Sequence, residues 1–283
     1  MIDNGMSVTS VVFPYAPTPV NRRRDKARAK LSEMFSKIVR SRKISSQAED
    51  DVLQNLIDSK YKDGRPTTES EVTGMIIGLL IAGRHTSSAT TTWTGAHLLS
   101  NAKFLAAAIE EQKQVTAKYG NHMDYNVLME MHTLYRCIKE TLRIHPPAPA
   151  LFRKVLKSFT VRTKEGAEYQ IPKGHTIVSP ILFNSNIPCI YKNPGVYDPD
   201  RFGPGREEDK VAGELAYVAF GGGRHACPGQ AYSSVQIKVI WSYLLRNFDL
   251  KLVSSFPETD WWKMVPEPKV SSIDTFIFLN AEQ

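Results

Sequence analysis

The 283-residue chain reads as a mainly α-helical protein with small β-sheets, and three observations predict that class. Apolar residues recur at three- and four-residue spacing over several long stretches. Strand-like alternation is confined to a short tract between residues 159 and 178. The composition is that of a globular protein, 42% hydrophobic and 23% charged, and no internal repeat or low-complexity tract divides the chain.

The elements follow in order. After an irregular proline-rich start over residues 13–19, residues 25–41 carry Leu31, Met34, Phe35 and Ile38 on one stripe, which predicts a helix. Residues 21–30 form the densest basic run in a chain of net charge +7. On a helix such a run is most often a solvated face; the functional alternative is an electrostatic landing site for an acidic membrane surface or a redox partner. Neither interleaved aromatics nor a known motif accompanies the charge, which argues against nucleic acid as a partner. Residues 50–60 predict a second helix and residues 62–66 a turn. Thr68-x-x-Glu71 is a capping-box signal for the longest helix, about 69–100, roughly 45 Å at 1.5 Å per residue. Its centre, residues 80–88, combines glycine with a run of hydroxyl side chains, a composition that can bend a helix or open a groove. Residues 104–119 and about 131–144 predict two more helices, the second stopped by His145-Pro146-Pro147. Residues 159–178 predict a hairpin and a short strand, 188–213 a long irregular loop, and 216–220 a strand. Residues 230–247 predict a helix with Pro228 in its first turn.

The three cysteines, Cys137, Cys189 and Cys227, form an odd, unpatterned set that argues against a disulfide scaffold and for a reducing compartment. Cys137 and Cys189 read as packed or incidental thiols. The longest apolar run, residues 75–83, falls far short of the ~20 residues a spanning helix needs, and no signal peptide is visible. As written, the chain reads as soluble or peripheral.

Cys227 lies in a glycine-rich loop, Phe220-Gly-Gly-Gly-Arg-His-Ala-Cys-Pro-Gly229, ahead of a helix. A thiolate bound to haem iron needs that setting: N–H donors, a helix N-terminus behind it, and small neighbours that allow close approach. A dinucleotide fingerprint also fits, since Gly221-x-Gly223-x-x-Ala226 opens a helix and Asp249 follows about 20 residues on. That fold needs further strand-helix-strand units, however, and only thirty-odd residues remain after Asp249. Two distant motifs weigh in. Glu140-x-x-Arg143 puts a carboxylate and a guanidinium on one helix face. Asp198-Pro-Asp-Arg201-Phe202 sits in the proline-rich loop.

In this order, with 84 residues from Arg143 to Cys227, the three motifs resemble the cytochrome P450 haem-thiolate monooxygenases. The resemblance implies the cytochrome P450 fold, N-terminally truncated, as a single partial catalytic domain over 1–283 with its haem-thiolate loop at 220–229. It implies a buried network of Glu140, Arg143 and Arg201, and a long helix over the distal face of haem b in which Thr86 and His85 relay protons. Cys227 would be the axial ligand, His225 and Arg153 would bind the propionates, and Phe220, Gly223 and Gly229 would pack beside the ring. Residues 148–152 with Met264 and Val265 would line a substrate cavity.

The variant Ala82-Gly-Arg-His85-Thr86-Ser-Ser88 is similar to the sterol 14-alpha-demethylase branch, and residues 60–68, 135–140 and 200–210 are similar to the plant obtusifoliol-type enzymes. Arg84 replaces the usual glutamine, and Pro149 with Ala148 and Ala150 changes the substrate wall. The resemblance implies oxidation of a sterol or triterpenoid with O2 and electrons from NADPH through cytochrome P450 reductase, at the cytosolic face of the endoplasmic reticulum membrane. The alternative is a truncated, non-catalytic paralogue or gene fragment that binds haem weakly or not at all.

Overall fold

A computed structural model of the chain describes residues 10, 12–45, 49–253, 255–269 and 276–280. It divides into two compact units, Met1–Ser88 with Trp261–Val265, and Ala89–Asp260 with Pro266–Gln283.

The first unit contains helices α1 (Pro19–Ile44) and α2 (Val52–Asp58) and the beginning of α3 (Glu69–Ser100). Helix α1 starts six residues before the predicted Asp25, because Thr18 caps it: its hydroxyl accepts from the Asn21 N–H at 3.1 Å, and Pro19 fits a position that has no N–H to satisfy. Asp51 caps α2 by accepting the Gln54 N–H at 2.8 Å, and it also takes both terminal nitrogens of Arg42 at 2.7 Å. The Arg42 bonds, then that backbone bond, hold its carboxyl down at about 2. The capping box ahead of α3 forms: Thr68 donates its N–H to Glu71 at 2.8 Å, and the Glu71 N–H returns to the Thr68 hydroxyl at 3.3 Å. Val39, Leu53, Ile57 and Val72 form the buried apolar cluster.

The second unit holds the rest of α3 and helices α4 (Ala102–Tyr119), α5 (Tyr125–Met129), α6 (His132–Ile144), α7 (Ile181–Asn184) and α8 (Gln230–Asn247). Its core gathers Leu98 of α3, Ala108 of α4, Leu134 and Ile138 of α6, and Ile237 and Trp241 of α8. Burying each large aliphatic there stabilises by about 1.5–3 kcal/mol. Glu111 of α4 accepts the Leu134 N–H at 2.9 Å, so a neighbouring helix supplies the cap that α6 lacks in its own sequence. Strands β1 (Leu151–Lys154), β2 (Phe159–Arg162), β3 (Glu168–Ile171), β4 (Thr176–Ser179), β5 (Phe248–Leu252), β6 (Thr259–Asp260), β7 (Glu267–Pro268) and β8 (Phe276–Asn280) form two-stranded antiparallel ladders. The pairs are β1–β4, β2–β3, β5–β8 and β6–β7; in β1–β4, Arg153 lies opposite Ile177.

Two expectations are corrected. Residues 216–220 form no strand: Ala216 donates its N–H to Gly213 and Gly221 to Val218, so turns absorb the backbone. Pro228 lies outside α8, whose N-cap is Gly229.

Candidate functional site

The loop between Phe220 and Gly229 is shaped by its own backbone. Gly221 and Gly223 take φ of 72° and 62°, left-handed values that a side chain would strain. The Cys227 N–H donates to the Phe220 carbonyl at 2.8 Å and closes the loop at its base. Helix α8 begins three residues later, which brings its positive end close to the thiol. Cys227 is free and exposed, and a Cβ on Gly229 would sit 3.7 Å from its Sγ. His225 is exposed in the same loop.

Strand β1 runs beside this loop, since a Cβ on Gly221 would lie 3.9 Å from Leu151 Cδ1. Two residues along β1, Arg153 is exposed and donates from Nη1 to the Phe152 carbonyl at 2.9 Å. The structure thus brings the strand of Arg153 to the loop that holds Phe220, Gly223, His225, Cys227 and Gly229. Thr86 and His85 belong to the other compact unit and are half-buried in α3. The Thr86 hydroxyl donates to the Ala82 carbonyl one turn back at 2.7 Å, and the helix is continuous through this point.

The donor chemistry fits haem. Among the described residues no group of three or more His, Cys, Asp or Glu side chains could hold a bare metal ion. A metal that arrives in its own macrocycle needs only one protein ligand, and an exposed thiol at a helix N-terminus is a donor of the type that could supply it. Arg153 and the N–H of His225 are the donor types that carboxylates require.

The predicted charge network forms. Glu140, Arg143 and Arg201 are fully buried. Arg143 grips Glu140 with two bonds of 2.8 Å, and Arg201 Nε adds a third at 3.0 Å. Further guanidinium N–H groups donate to main-chain carbonyls: Arg143 to Ser185 at 2.7 Å and Pro194 at 2.8 Å, Arg201 to Lys192 at 3.0 Å and Val196 at 3.1 Å. A buried ion pair persists only when its polar groups are satisfied, and every nitrogen of both guanidinium groups has a hydrogen-bond partner here.

Two features were not read from the sequence. Glu208, buried, is a second carboxylate on Arg201; it also accepts the Lys192 N–H at 3.1 Å and is held by Arg206 at 2.6 Å. Its only signal was an acidic pair in the long loop. Beside the network, His145 stacks on Trp93 at 3.8 Å and His97 on Tyr197 at 4.2 Å, with the two imidazoles 5.1 Å apart. Burial, helped by His145 and Arg143, pushes His97 down to about 3; burial alone pushes His145 down to about 4.

The cytochrome P450 family model matches residues 4–271. The chain is 58% identical over 264 residues to an obtusifoliol 14-alpha demethylase of Sorghum bicolor, covering 93% of this chain and 54% of that protein. It is 56% identical to the sterol 14-demethylase of Arabidopsis thaliana, with the same coverage. It is 39% identical to the human lanosterol 14-alpha demethylase over 95% of this chain and 52% of that protein. Among solved structures, a retinoic acid-bound cyanobacterial CYP120A1 superposes with a TM-score of 0.82 at 24% identity, over 98% of this chain and 61% of that one, a likeness of fold. The chain spans about half the length of the curated relatives it matches.

Proposed function

The chain belongs to the cytochrome P450 family, and from that premise we propose that it is part of a haem-thiolate monooxygenase that oxidises a sterol or triterpenoid in the manner of a sterol 14-demethylase. The observation that carries this reading is the free, exposed Cys227 thiol, on a loop closed at its base and backed by α8. The cofactor is haem b, which when bound through a thiolate supplies oxygen-activating chemistry.

The chain's own residues hold and serve that group. Cys227 Sγ would hold its iron, His225 and Arg153 would bind its carboxylates, and Phe220, Gly223 and Gly229 would lie beside it. The Thr86 hydroxyl moves a proton, with His85 as its neighbour in the relay. Residues 148–152 with Met264 and Val265 line the substrate cavity and exclude water. The co-substrates are O2 and NADPH-derived electrons delivered by cytochrome P450 reductase, and the location is the endoplasmic reticulum membrane at its cytosolic face. No helix among the described residues is long and apolar enough to cross a membrane. A single family model over both compact units supports one catalytic domain. The rival reading, a non-catalytic paralogue or gene fragment, is not favoured, because the buried network of Glu140, Arg143 and Arg201 is intact, with every guanidinium nitrogen hydrogen-bonded.

The test is spectroscopic first. Protein expressed with a haem supply, reduced and exposed to carbon monoxide, is expected to give the red-shifted Soret band of a thiolate ligand, and Cys227→Ser to abolish it. A wild-type protein that takes up haem but gives no such band sinks the assignment. Turnover with reductase then separates substrates: oxidation of obtusifoliol with formate release supports demethylation, oxidation of cyclic triterpenes alone supports a shifted substrate, and silence on both removes the sterol–triterpenoid reading.

A further inference from the structure

Helices α5, α6 and α8 enclose a cavity of about 520 Å³, a volume in the range of small-molecule sites. None of the residues assigned above to the iron, the carboxylates or the substrate lines it. Its walls include Tyr125 and Met129 of α5, His132 and Tyr135 of α6, and Ala231 of α8, so two phenol rings, an imidazole and a thioether share one space. One cation belongs to it as well. Lys238 of α8 lines the cavity, yet the residue is only 2% exposed.

The charge of Lys238 is poorly compensated. Its ammonium donates to the Leu128 carbonyl at 2.8 Å and lies 5.0 Å from the centre of the Tyr135 ring. Among the described residues it has no other hydrogen-bond acceptor and no carboxylate within ion-pair distance. Glu111, whose charge does reach it, is committed to the Thr133 and Leu134 N–H groups at the start of α6. Burial accordingly pushes the ammonium down from its ordinary value, against the pull of Glu111. Capping does not explain the residue either. The Leu128 carbonyl already accepts the Met131 N–H at 3.3 Å, so the end of α5 is satisfied without the lysine. An ammonium held out of water with unused N–H groups costs free energy that an arriving anion would recover.

We propose that the cavity between α5, α6 and α8 binds a small aromatic carboxylate. The carboxylate supplies the counter-charge and the acceptors that Lys238 lacks, and the planar body packs among Tyr125, Tyr135 and the Met129 thioether. A neutral aromatic leaves the ammonium uncompensated, and a compact anion such as acetate leaves the apolar walls empty, so each is held more weakly. Pro228, bonded to Cys227, also lines the cavity, and an occupant would rest against the loop that carries the candidate iron ligand. The site needs no haem, and its failure would leave the haem reading untouched.

The experiment is an NMR titration of the 283-residue chain, isotope-labelled at its methionine methyls, with naphthoate, naphthamide and acetate. Naphthoate is expected to shift the Met129 methyl signal saturably, Met129→Leu serving to assign that signal. Naphthamide is expected to bind about tenfold more weakly, the loss of one charge-assisted bond, and acetate at the same concentration to leave the signal in place. In Lys238→Met, calorimetry is expected to show naphthoate reduced to the affinity of the amide. That variant should keep its fold, because the Leu128 carbonyl retains its Met131 bond. Ala231→Trp, at an exposed position, fills the cavity with Lys238 in place and is expected to abolish the shift, a check that stands even if the lysine variant folds poorly. A Met129 signal that does not move, equal binding of naphthoate to naphthamide or acetate, or undiminished naphthoate affinity in either variant would each overturn the proposal.

Discussion

Glu140 accepts from two guanidinium groups and from the Asp198 N–H at 2.9 Å, so one carboxylate ties two buried cations together, and Glu208 adds a second on Arg201. Glu140→Ala would leave the buried Arg143 without a carboxylate and Arg201 with Glu208 alone, at a cost of about 3–5 kcal/mol, read as a lower midpoint in denaturant titration. Arg143→Lys keeps the charge, but a single ammonium cannot reproduce a fork that reaches Glu140, Ser185 and Pro194 together, so it should fall well below wild type. A wild-type midpoint for either variant would show that the network contributes nothing to stability. Cys227 makes the opposite prediction. Its thiol is exposed, so Cys227→Ser should change the stability of the cofactor-free chain by no more than about 0.5 kcal/mol, and a large loss there would mark it as a packing residue.

At the scale of elements, α3 and α8 approach closely at Gly95. A Cβ there would stand 2.3 Å from Trp241 Cζ2, and the indole is fixed by its N–H bond to the Thr91 carbonyl at 3.0 Å. Gly95→Ala should therefore destabilise by about 1–3 kcal/mol despite alanine's better helix propensity. A stabilised variant would mean that Trp241 moves freely. The elements also separate what is legible in the chain from what is not. The start of α3 and the span of α8 could be read because local signals set them, the Thr68–Glu71 box in one and a stretch free of glycine and proline after Gly229 in the other. Strand β1 was missed because its only partner, β4, lies more than twenty residues away and nothing in residues 151–154 announces the pairing. Helices α5 and α7 are too short to show a period, although Asp124, accepting the Val127 N–H at 2.9 Å, is a cap that could have flagged α5. At the site, Cys227, Glu140, Arg143 and Arg201 were legible because they sit in fixed motifs. Glu208 was not, because its partner is defined only by how the loop folds.

For the molecule as a whole, the stacked histidines set an acid limit. His97 and His145 have folded values of about 3 and about 4, below the ordinary 6.5, so the unfolded chain binds more protons between those values. Their contribution is fully present above about pH 6.5 and declines as pH falls, with a slope approaching about 3 kcal/mol per pH unit while both imidazoles remain neutral only in the folded state. Denaturation midpoints measured at pH 7 and pH 5 should drop steeply in wild type and less in a His97→Phe, His145→Phe variant. Equal slopes would remove these histidines as the cause.

The long loop that contains Arg201 is held mostly through main-chain oxygens, those of Ser185, Lys192, Pro194 and Val196. A carbonyl is the same in every amino acid. Substitutions at those four positions that keep the backbone path should therefore be tolerated, whereas Tyr191, Tyr197 and Glu208, which act through their side chains, should not be replaceable.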